Sequence, residues 1–465
     1  MYKFCLTASL MLCCAISSAG ETPMPVRARV VAEEIITDFV EPNNGSGPMW
    51  CFGSRTIARI GDTVFAVVPE TGKDVKPLCN TRWVLYRRRD AGKWERVQAN
   101  PTYDEREPCM LARTPDGRLI LSVNPAQELT YTMEDGRRGA RCLPMLLQFD
   151  SAAPEKAPVK IMPKWDHAYD FSEHSYRALA ADATTGSLFM TDQVPVGGEY
   201  LHAFSAYDGK EQPLRQGLLQ FPMRGCYQQI AIRGNAVYVM AISDEMEPNP
   251  VWRAYKEEMT KQHWDYEFRQ LFFTWTPNVA ATDFSPVLTV ASRDETAGLI
   301  RNLDMWVDRE GAAWLLYTDR NIWQPYMRDK FFPGTPITVA LKYARVQKGR
   351  VIDRQTLLQT AEKMTPEGKG TGQLQDAVPE YGEFHATPDG RLFVIWYQSG
   401  ENAGNYLQQI NPEPGQPQKL PLEKPLSSFF TASERNGCLP SDIIDLYGLP
   451  AGGGAVIRYA QVRLE

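Results

Sequence analysis

The chain has 465 residues, 43% of them hydrophobic and 11% aromatic, ample for a large core. Its formal net charge of −6 argues against a nucleic-acid binder, which normally carries a basic patch or a basic overall balance. Length alone is compatible with two or three domains or with one large all-β unit.

The N-terminus reads as a secretory leader. Lys3 supplies a thin positive region and Phe4–Ile16 a short apolar stretch. Ser17-Ser18-Ala19 offers small residues before a cut near Ala19 or Gly20. Cys13 and Cys14 follow Leu12, but the residues before them are too large for a good lipobox, so lipoprotein anchoring is the weaker reading. No other segment is long and apolar enough to span a bilayer. The expectation is a leader over residues 1–20 and a secreted or periplasmic protein with no stable membrane span.

Residues 21–48 read as an extended lead-in that ends in Asn43-Asn44-Gly45-Ser46-Gly47-Pro48. From Met49 a turn-and-strand phrase recurs to the C-terminus. It is plainest as Thr-Pro-Asp-Gly-Arg-Leu-Ile-Leu at Thr114–Leu121 and Thr-Pro-Asp-Gly-Arg-Leu-Phe-Val at Thr387–Val394. Weaker copies lie at Arg59–Val67, Asp182–Met190, Ile232–Met240 and Trp306–Tyr317, with a last candidate at Leu449–Tyr459. Each is a β-hairpin in which Asp-Gly or Gly-Asn supplies the positive φ of the turn. The copies stand roughly 50–80 residues apart, the spacing of one propeller blade per repeat. The expected fold is all-β: a single seven-bladed β-propeller over residues 49–465, with four-stranded antiparallel blades.

Two stretches break the rhythm. Residues 245–268 are rich in Glu, Lys, Trp and Tyr, and the helical spacing of their aromatics predicts a helix or a lid-like excursion. Residues 362–381 are rich in Gly, Lys and Gln and read as a surface loop.

Of nine cysteines, Cys5, Cys13 and Cys14 would leave with the leader. Cys51, Cys79, Cys109, Cys142, Cys226 and Cys438 remain. An even number in an exported chain permits disulfides, but spacing does not fix their connectivity. A Cys51–Cys438 bridge would join the first and last repeats; free buried thiols are the alternative. None has the close paired spacing of a structural zinc site. No cofactor is identified, and a structural metal ion is left open.

A propeller directs attention to its central funnel. If the strand before each turn is the innermost of its blade, one position per blade faces the channel: Arg55, Met110 beside Glu107, Arg177, Gln228, Asp304, Glu383 and Asp442. Neighbouring polar residues are His174, Tyr176, Tyr227, Arg301, Asn302 and His385. Polar groups at the mouth of an inner strand cost desolvation unless paired or solvated, so several converging there mark a candidate site. Candidate catalytic residues are His174, Tyr176, Arg177, His385, Glu383 and Asp304. Candidate substrate-binding residues are Arg55, Glu107, Gln228, Tyr227, Arg301 and Asn302. The competing reading is structural: water fills such channels, and Arg55, Arg177 and Arg301 can simply pair with Glu107, Asp304 or Glu383. His174 and His385 precede hairpins and are both expected to face the funnel, where imidazole serves as a proton shuttle. Trp50, Trp306, Trp323 and Tyr397 are rim aromatics that could stack on a sugar ring. The chain has no phosphate-cradling glycine loop, no GxSxG and no HExxH, and Asp376–Glu380 does not match an EF-hand.

Arg55–Val67 with Trp83–Val97 resembles the opening blades of the sialidase-like, BNR-repeat superfamily. Asp90-Ala91-Gly92-Lys93-Trp94 is similar to an Asp box one residue short, with Arg88 in place of the leading Ser, and Glu310–Trp314 keeps the Gly and Trp spacing. The chain lacks the Phe-Arg-Ile-Pro of true sialidases, although Arg55, Arg177 and Arg301 could imitate an arginine triad. It more closely resembles the branch containing secreted polysaccharide lyases such as ulvan lyases. There a His-Asn-Tyr-like strand supplies a funnel histidine, and His174-Ser175-Tyr176-Arg177 is similar in placement, with Ser175 for the Asn.

That resemblance implies a secreted enzyme acting on an acidic polysaccharide or glycan. As a lyase, Arg177 or Arg301 would neutralise a uronate carboxylate, His174 or His385 would abstract the C5 proton, and Tyr176 or Tyr227 would protonate the leaving oxygen. As a hydrolase, two of Glu107, Asp304, Glu383 and Asp442 would act as acid and base or nucleophile. The alternatives are a non-catalytic propeller that binds glycan or protein, and a structural member with a filled channel, because the fold hosts many functions.

Overall fold

The computed structural model of the protein describes residues 26–50, 55–89, 92–132, 138–263, 265–375 and 377–465. The expected leader and Cys51, Asp90, Ala91 and Asp376 lie outside them.

Seven antiparallel sheets form a ring, each stepping outward from an inner strand. The inner strands are Ile57–Ile60, Met110–Arg113, Ala178–Ala181, Gly225–Arg233, Leu299–Val307, Ala377–Ala386 and Leu426–Thr431. Six sheets are four-stranded, and the fifth adds a further strand, Gly370–Leu374. The predicted surface loop at 362–381 is therefore largely strand, the hairpin end of Arg350–Met364 and its partner.

The turns follow the sequence chemistry. Gly117 and Gly390 hold φ of 85° and 88°, and their N–H groups donate to Thr114 O at 3.0 Å and Thr387 O at 2.9 Å. The Thr114 hydroxyl donates to Asp116 Oδ1 at 2.5 Å, so the Thr-Pro-Asp-Gly turn closes on itself before the second strand begins.

The ring closes through the N-terminus. Ala28–Asp38, expected as part of a lead-in outside the ring, is the outermost strand of blade seven, pairing from Ala28↔Leu464 to Asp38↔Val456. Arg88 holds Glu34 through two 2.8 Å bonds, and Arg59 holds Asp445 through two at 2.6 Å, so charge locks blade one to blade seven. The largest apolar cluster fills the same seam, with Phe429, Phe430, Tyr447, Tyr459, Ile57 and Ile395 buried in it.

One end of the channel is plugged. The connection 433–441, which leaves inner strand Leu426–Thr431, crosses the far ends of the other inner strands. Arg113 N donates to Asn436 O at 2.9 Å, Ala181 N to Arg435 O at 3.0 Å, and Ser441 N to Ala386 O at 3.1 Å. Gly437 holds φ of 81°, and a Cβ there would stand 2.1 Å from Arg113 O, so only glycine lets the plug pass this close. Asp442, placed by sequence on an inner strand, lies just after the plug, before the second strand Ile443–Pro450. The Gly-rich turn of the last repeat joins the second and third strands of its blade, not the first and second.

The opposite end, where the inner strands begin, is the mouth. Connections between second and third strands rise around it: 72–80, the hairpin of Ala126–Thr132 with Arg138–Cys142, and 244–269. The last carries helix α1 (Pro250–Thr260), capped by Asn249 Oδ1, which accepts from Val251 N and Trp252 N. Trp252 packs on Phe331 and Phe332 at the end of helix α2 (Pro325–Phe331) in the next blade's connection. Among the described residues no helix is long and apolar enough to cross a membrane.

Candidate active site

Below the mouth the channel is closed by charge. Arg55 Nη2 lies 2.6 Å from Asp304 Oδ1 and also pairs with Glu383, and Arg435 Nε from the plug donates to Asp304 Oδ1 at 3.0 Å. All four side chains are at most 4% exposed. Burial pushes the Glu383 carboxyl well above its ordinary range against the pull of Arg55; Asp304, with two arginines and Phe384 N–H on it, is held below its own. These predicted catalytic carboxylates are thus the ion-paired axle of the ring. His385 lies beside the plug, with Nε2 2.6 Å from Ser441 O and burial holding its pKa down. His174 and His385, expected to face the funnel together, sit at opposite ends of the channel.

At the mouth the chain from Phe39 to Trp50 crosses over the inner strands. Asn44 Nδ2 donates to Leu78 O at 3.0 Å and to Arg106 O at 3.2 Å, and Arg106 Nε returns a bond to Asn44 O at 2.9 Å. This crossing carries Trp50. Its ring centroid is 5.2 Å from Tyr176 and nearly parallel to it, 5.3 Å from His174 and 5.7 Å from Tyr227. Tyr176 lies 4.5 Å from His174 and 5.0 Å from Tyr227.

The two tyrosines are strained in the same way. Tyr176 has φ of 42° and Tyr227 φ of 50°, a region a bulky residue rarely occupies unless its surroundings hold it there. Tyr176 sits two residues before inner strand Ala178–Ala181. Tyr227 lies in the irregular step of its strand between Cys226 and Gln229, and its carbonyl is fixed by Asn302 Nδ2 at 2.7 Å. Gln228, on that step, is 1% exposed and donates to the buried His202. Of the residues predicted to bind substrate, Asn302 thus holds the backbone that presents Tyr227, and Gln228 turns inward to His202.

Glu107 has a similar role. Its carboxylate accepts from Ser175 N at 2.8 Å and Ser175 Oγ at 2.6 Å, between His174 and Tyr176. Beneath it Arg177 is 3% exposed, and its electrostatic neighbours include three buried carboxylates, Glu105, Glu107 and Asp192. Burial outweighs that arginine: it pushes Glu105 up to about 8, raises Glu107, and raises Asp192 far above its ordinary value.

Cations reach the site from the other side. Arg224 lies over the rings of Tyr200, Tyr266 and Tyr176 at 4.8, 5.5 and 5.6 Å, with Asp244 3.4 Å from its Nη2. Arg301 is exposed on its inner strand, with Glu380 and Tyr227 as its electrostatic neighbours. The mouth therefore offers an aromatic floor with Tyr176 buried in it, and one histidine, one tyrosine and two arginines in reach of solvent, a set suited to an anionic ring. Of the predicted residues, the structure gathers His174, Tyr176, Tyr227 and Arg301 here, with Glu107 and Arg177 directly beneath. It places Arg55, Asp304, Glu383 and His385 deeper.

Sequence reading missed Arg106, Arg224 and Asp244. Arg106 was within reach: it stands four residues before inner strand Met110–Arg113, as His174 stands four before Ala178–Ala181. Arg106 Nη1 lies 2.5 Å from His174 Nδ1. Among the described residues no cluster of three or more His, Cys, Asp or Glu side chains is placed to hold a metal ion.

No protein-family model matches the chain, and no curated protein matches it in sequence. Solved structures share the ring. An ulvan lyase of polysaccharide lyase family 25, bound to -[GlcA(1-4)Rha3S]-, superposes with a TM-score of 0.53 at 10% identity, covering 92% of this chain and 95% of that one. A second structure of an ulvan lyase of that family gives 0.51 at 9% identity over the same shares. The polysaccharide lyase Uly1 gives 0.48 at 11%, covering 88% of this chain and 89% of that one. At these identities the likeness is one of fold.

Proposed function

We propose that this propeller is an exported lyase that cleaves a uronate-containing polysaccharide by β-elimination at the mouth of its channel. The observation that carries the proposal is the convergence of Trp50, His174 and Tyr227 with exposed Arg301 on the one open end of a plugged ring. The ulvan lyase with the same ring holds a GlcA(1-4)Rha3S repeat, which supports a uronate as the ligand.

Each residue then has a task. Trp50 receives a sugar ring on its face. Arg301 pairs with the uronate carboxylate, drawing charge from C5 and making its proton more acidic. Arginine can only donate, so the 2.5 Å contact from Arg106 makes His174 Nδ1 the acceptor and leaves the proton of the neutral ring on Nε2. His174 therefore donates from Nε2 to the carboxylate, adding to Arg301. Tyr227, as its phenolate, takes the C5 proton. The C–H electrons form the C4–C5 double bond, the C4–O4 bond breaks, and Tyr227 returns the proton to O4, so the enzyme ends as it began. Tyr176 supports Trp50 from below.

The test is turnover of a panel of acidic polysaccharides, read by ultraviolet absorbance of the unsaturated product and in parallel by reducing ends. Absorbance that grows for wild type and is lost in His174→Ala and Arg301→Ala supports the lyase. Reducing ends without absorbance would replace it with a hydrolase, and binding without either product with a glycan-binding propeller.

A further inference from the structure

We propose that Cys79 and Cys142 are joined in a disulfide that ties two walls of the mouth together. Cys79 lies near the end of the connection 72–80 of blade one, and Cys142 ends the strand Arg138–Cys142 of the blade-two hairpin. The two side chains are 2% and 5% exposed and form, with Ala140, a small apolar cluster of their own, backed by Ala126. The Cys142 thiol is pushed far upward, first by its hydrogen bond to Cys79 and then by burial. Two thiols in mutual contact, both closed off from solvent in one small apolar cluster, are placed to form a covalent bond.

The other described cysteines are placed differently. Cys226 has no second thiol in its cluster. Cys109 and Cys438 share a larger cluster, but the Cys109 thiol faces Glu105 and Arg177, and Cys438 Sγ accepts from Arg59 N at 3.3 Å, whereas the leading neighbour of Cys142 is the Cys79 thiol.

Because the pair is enclosed, the bond forms while the two walls are still open, by exchange with a disulfide donor such as oxidised glutathione or a protein thiol oxidase. One cysteine loses its proton, and its thiolate attacks a donor sulfur and expels the first donor thiolate. The second, also deprotonated, attacks the mixed disulfide and expels the other. The two cysteines are oxidised with loss of two protons, and the donor is reduced to two thiols.

The bond would bracket the site from both sides. Leu78 O beside Cys79 holds Asn44 in the Trp50 crossing. Beside Cys142, the hairpin holds the segment leading to His174: Cys142 N donates to Phe171 O at 2.8 Å, and Ala140 N to Glu173 Oε2 at 2.8 Å. The inference does not depend on the lyase reading.

The full chain, folded in a glutathione redox buffer, is denatured in alkylating reagent without reductant, digested and weighed. The expected result is one cross-linked peptide pair containing Cys79 and Cys142, two hydrogen masses lighter than the separate peptides, while Cys109, Cys226 and Cys438 are alkylated. Pre-reduction under denaturing conditions, followed by refolding with reductant, lowers the wild-type melting temperature and leaves the Cys79→Ala, Cys142→Ala double variant unaffected. Alkylated Cys79 and Cys142 recovered from the non-reduced protein would overturn the proposal, as would a response to reductant that persists in the double variant.

Discussion

Arg106 Nη1 lies 2.5 Å from His174 Nδ1, on the inner-strand approach of the neighbouring blade. In the lyase proposed above, the contact fixes which nitrogen of His174 meets the ligand and that this nitrogen carries the ring proton. Arg106 also lies 5.9 Å over Trp50, so one guanidinium touches both the proposed donor and the proposed stacking surface. Arg106→Met is expected to lower kcat on the acidic polysaccharide by about tenfold to a hundredfold, the loss typical of a misplaced catalytic group, with Arg106→Lys restoring part of it. A purely structural role would move the melting temperature and leave kcat per folded molecule unchanged.

Tyr227 and Tyr176 separate by exposure. Tyr227 is half-buried beside Arg301, whereas Tyr176 is 5% exposed, with its hydroxyl bonded towards Asp244. Tyr227→Phe keeps the ring and the backbone and removes only the hydroxyl. Its kcat is expected to fall by about 10²–10⁴-fold, the range for a lost acid–base group, at an unchanged melting temperature. Tyr176→Phe should lose far less. Equal losses in the two variants would count against Tyr227 as the proton carrier.

The axle of the ring makes the opposite prediction. Breaking a buried ion pair from one side leaves an uncompensated charge and typically costs about 3–5 kcal/mol. Asp304→Ala would strip Arg435 of its carboxylate and leave Arg55 with Glu383 alone in the channel. It is expected to reduce stability by that amount in urea unfolding, while activity per folded molecule persists. A stable but inactive Asp304→Ala or Glu383→Gln would revive the carboxylate hydrolase.

What the sequence could reveal follows from the range over which each feature is encoded. The turns at Thr114–Arg118 and Thr387–Arg391 are local, four or five residues whose backbone needs glycine, and they marked the ring. The closing strand Ala28–Asp38 is not local: its partner begins at Val456, at the other end of the chain, and nothing in its own alternation names it. Glu383 and Asp304 looked catalytic because a carboxylate on an inner strand carries no sign of what faces it. Arg435 comes from the plug, and a plug has no repeat to betray it. The count back from each turn gave Arg177, Gln228, Asp304 and Glu383, which lie buried, because counting fixes a position along a strand and not its depth. His174, Tyr176, Tyr227 and Arg301 entered only as their polar neighbours and stand at the mouth, and Arg106 is the same kind of neighbour to Glu107.

Glu105 and His202 shape opposite limbs of a pH–stability curve. Burial pushes Glu105 from the ordinary 4.5 up to about 8, partly countered by Arg177. Across that window the folded chain holds a proton that the unfolded chain has released, so stability falls as pH rises. Burial also pushes His202 from 6.5 down to about 3, with Nε2 3.0 Å from Gly225 O and Gln228 Nε2 2.6 Å from Nδ1. Between those values the folded chain refuses a proton that the unfolded chain accepts, so stability falls as pH drops. Where the windows overlap, between 4.5 and 6.5, the two slopes oppose each other and the sum of these two contributions is level. Outside the overlap each group contributes at most about 1.4 kcal/mol per pH unit. Glu107 and Asp192, also raised by burial, steepen the alkaline limb. Urea unfolding across pH should therefore find Glu105→Gln flattened on the alkaline side and unchanged below the plateau. His202→Gln should show the reverse, a lost acid limb with the alkaline one intact. An alkaline slope that survives undiminished in Glu105→Gln would assign it to Glu107 and Asp192, still beneath the His174 segment, and leave Glu105 as a hydrogen-bond acceptor for Asn124 N.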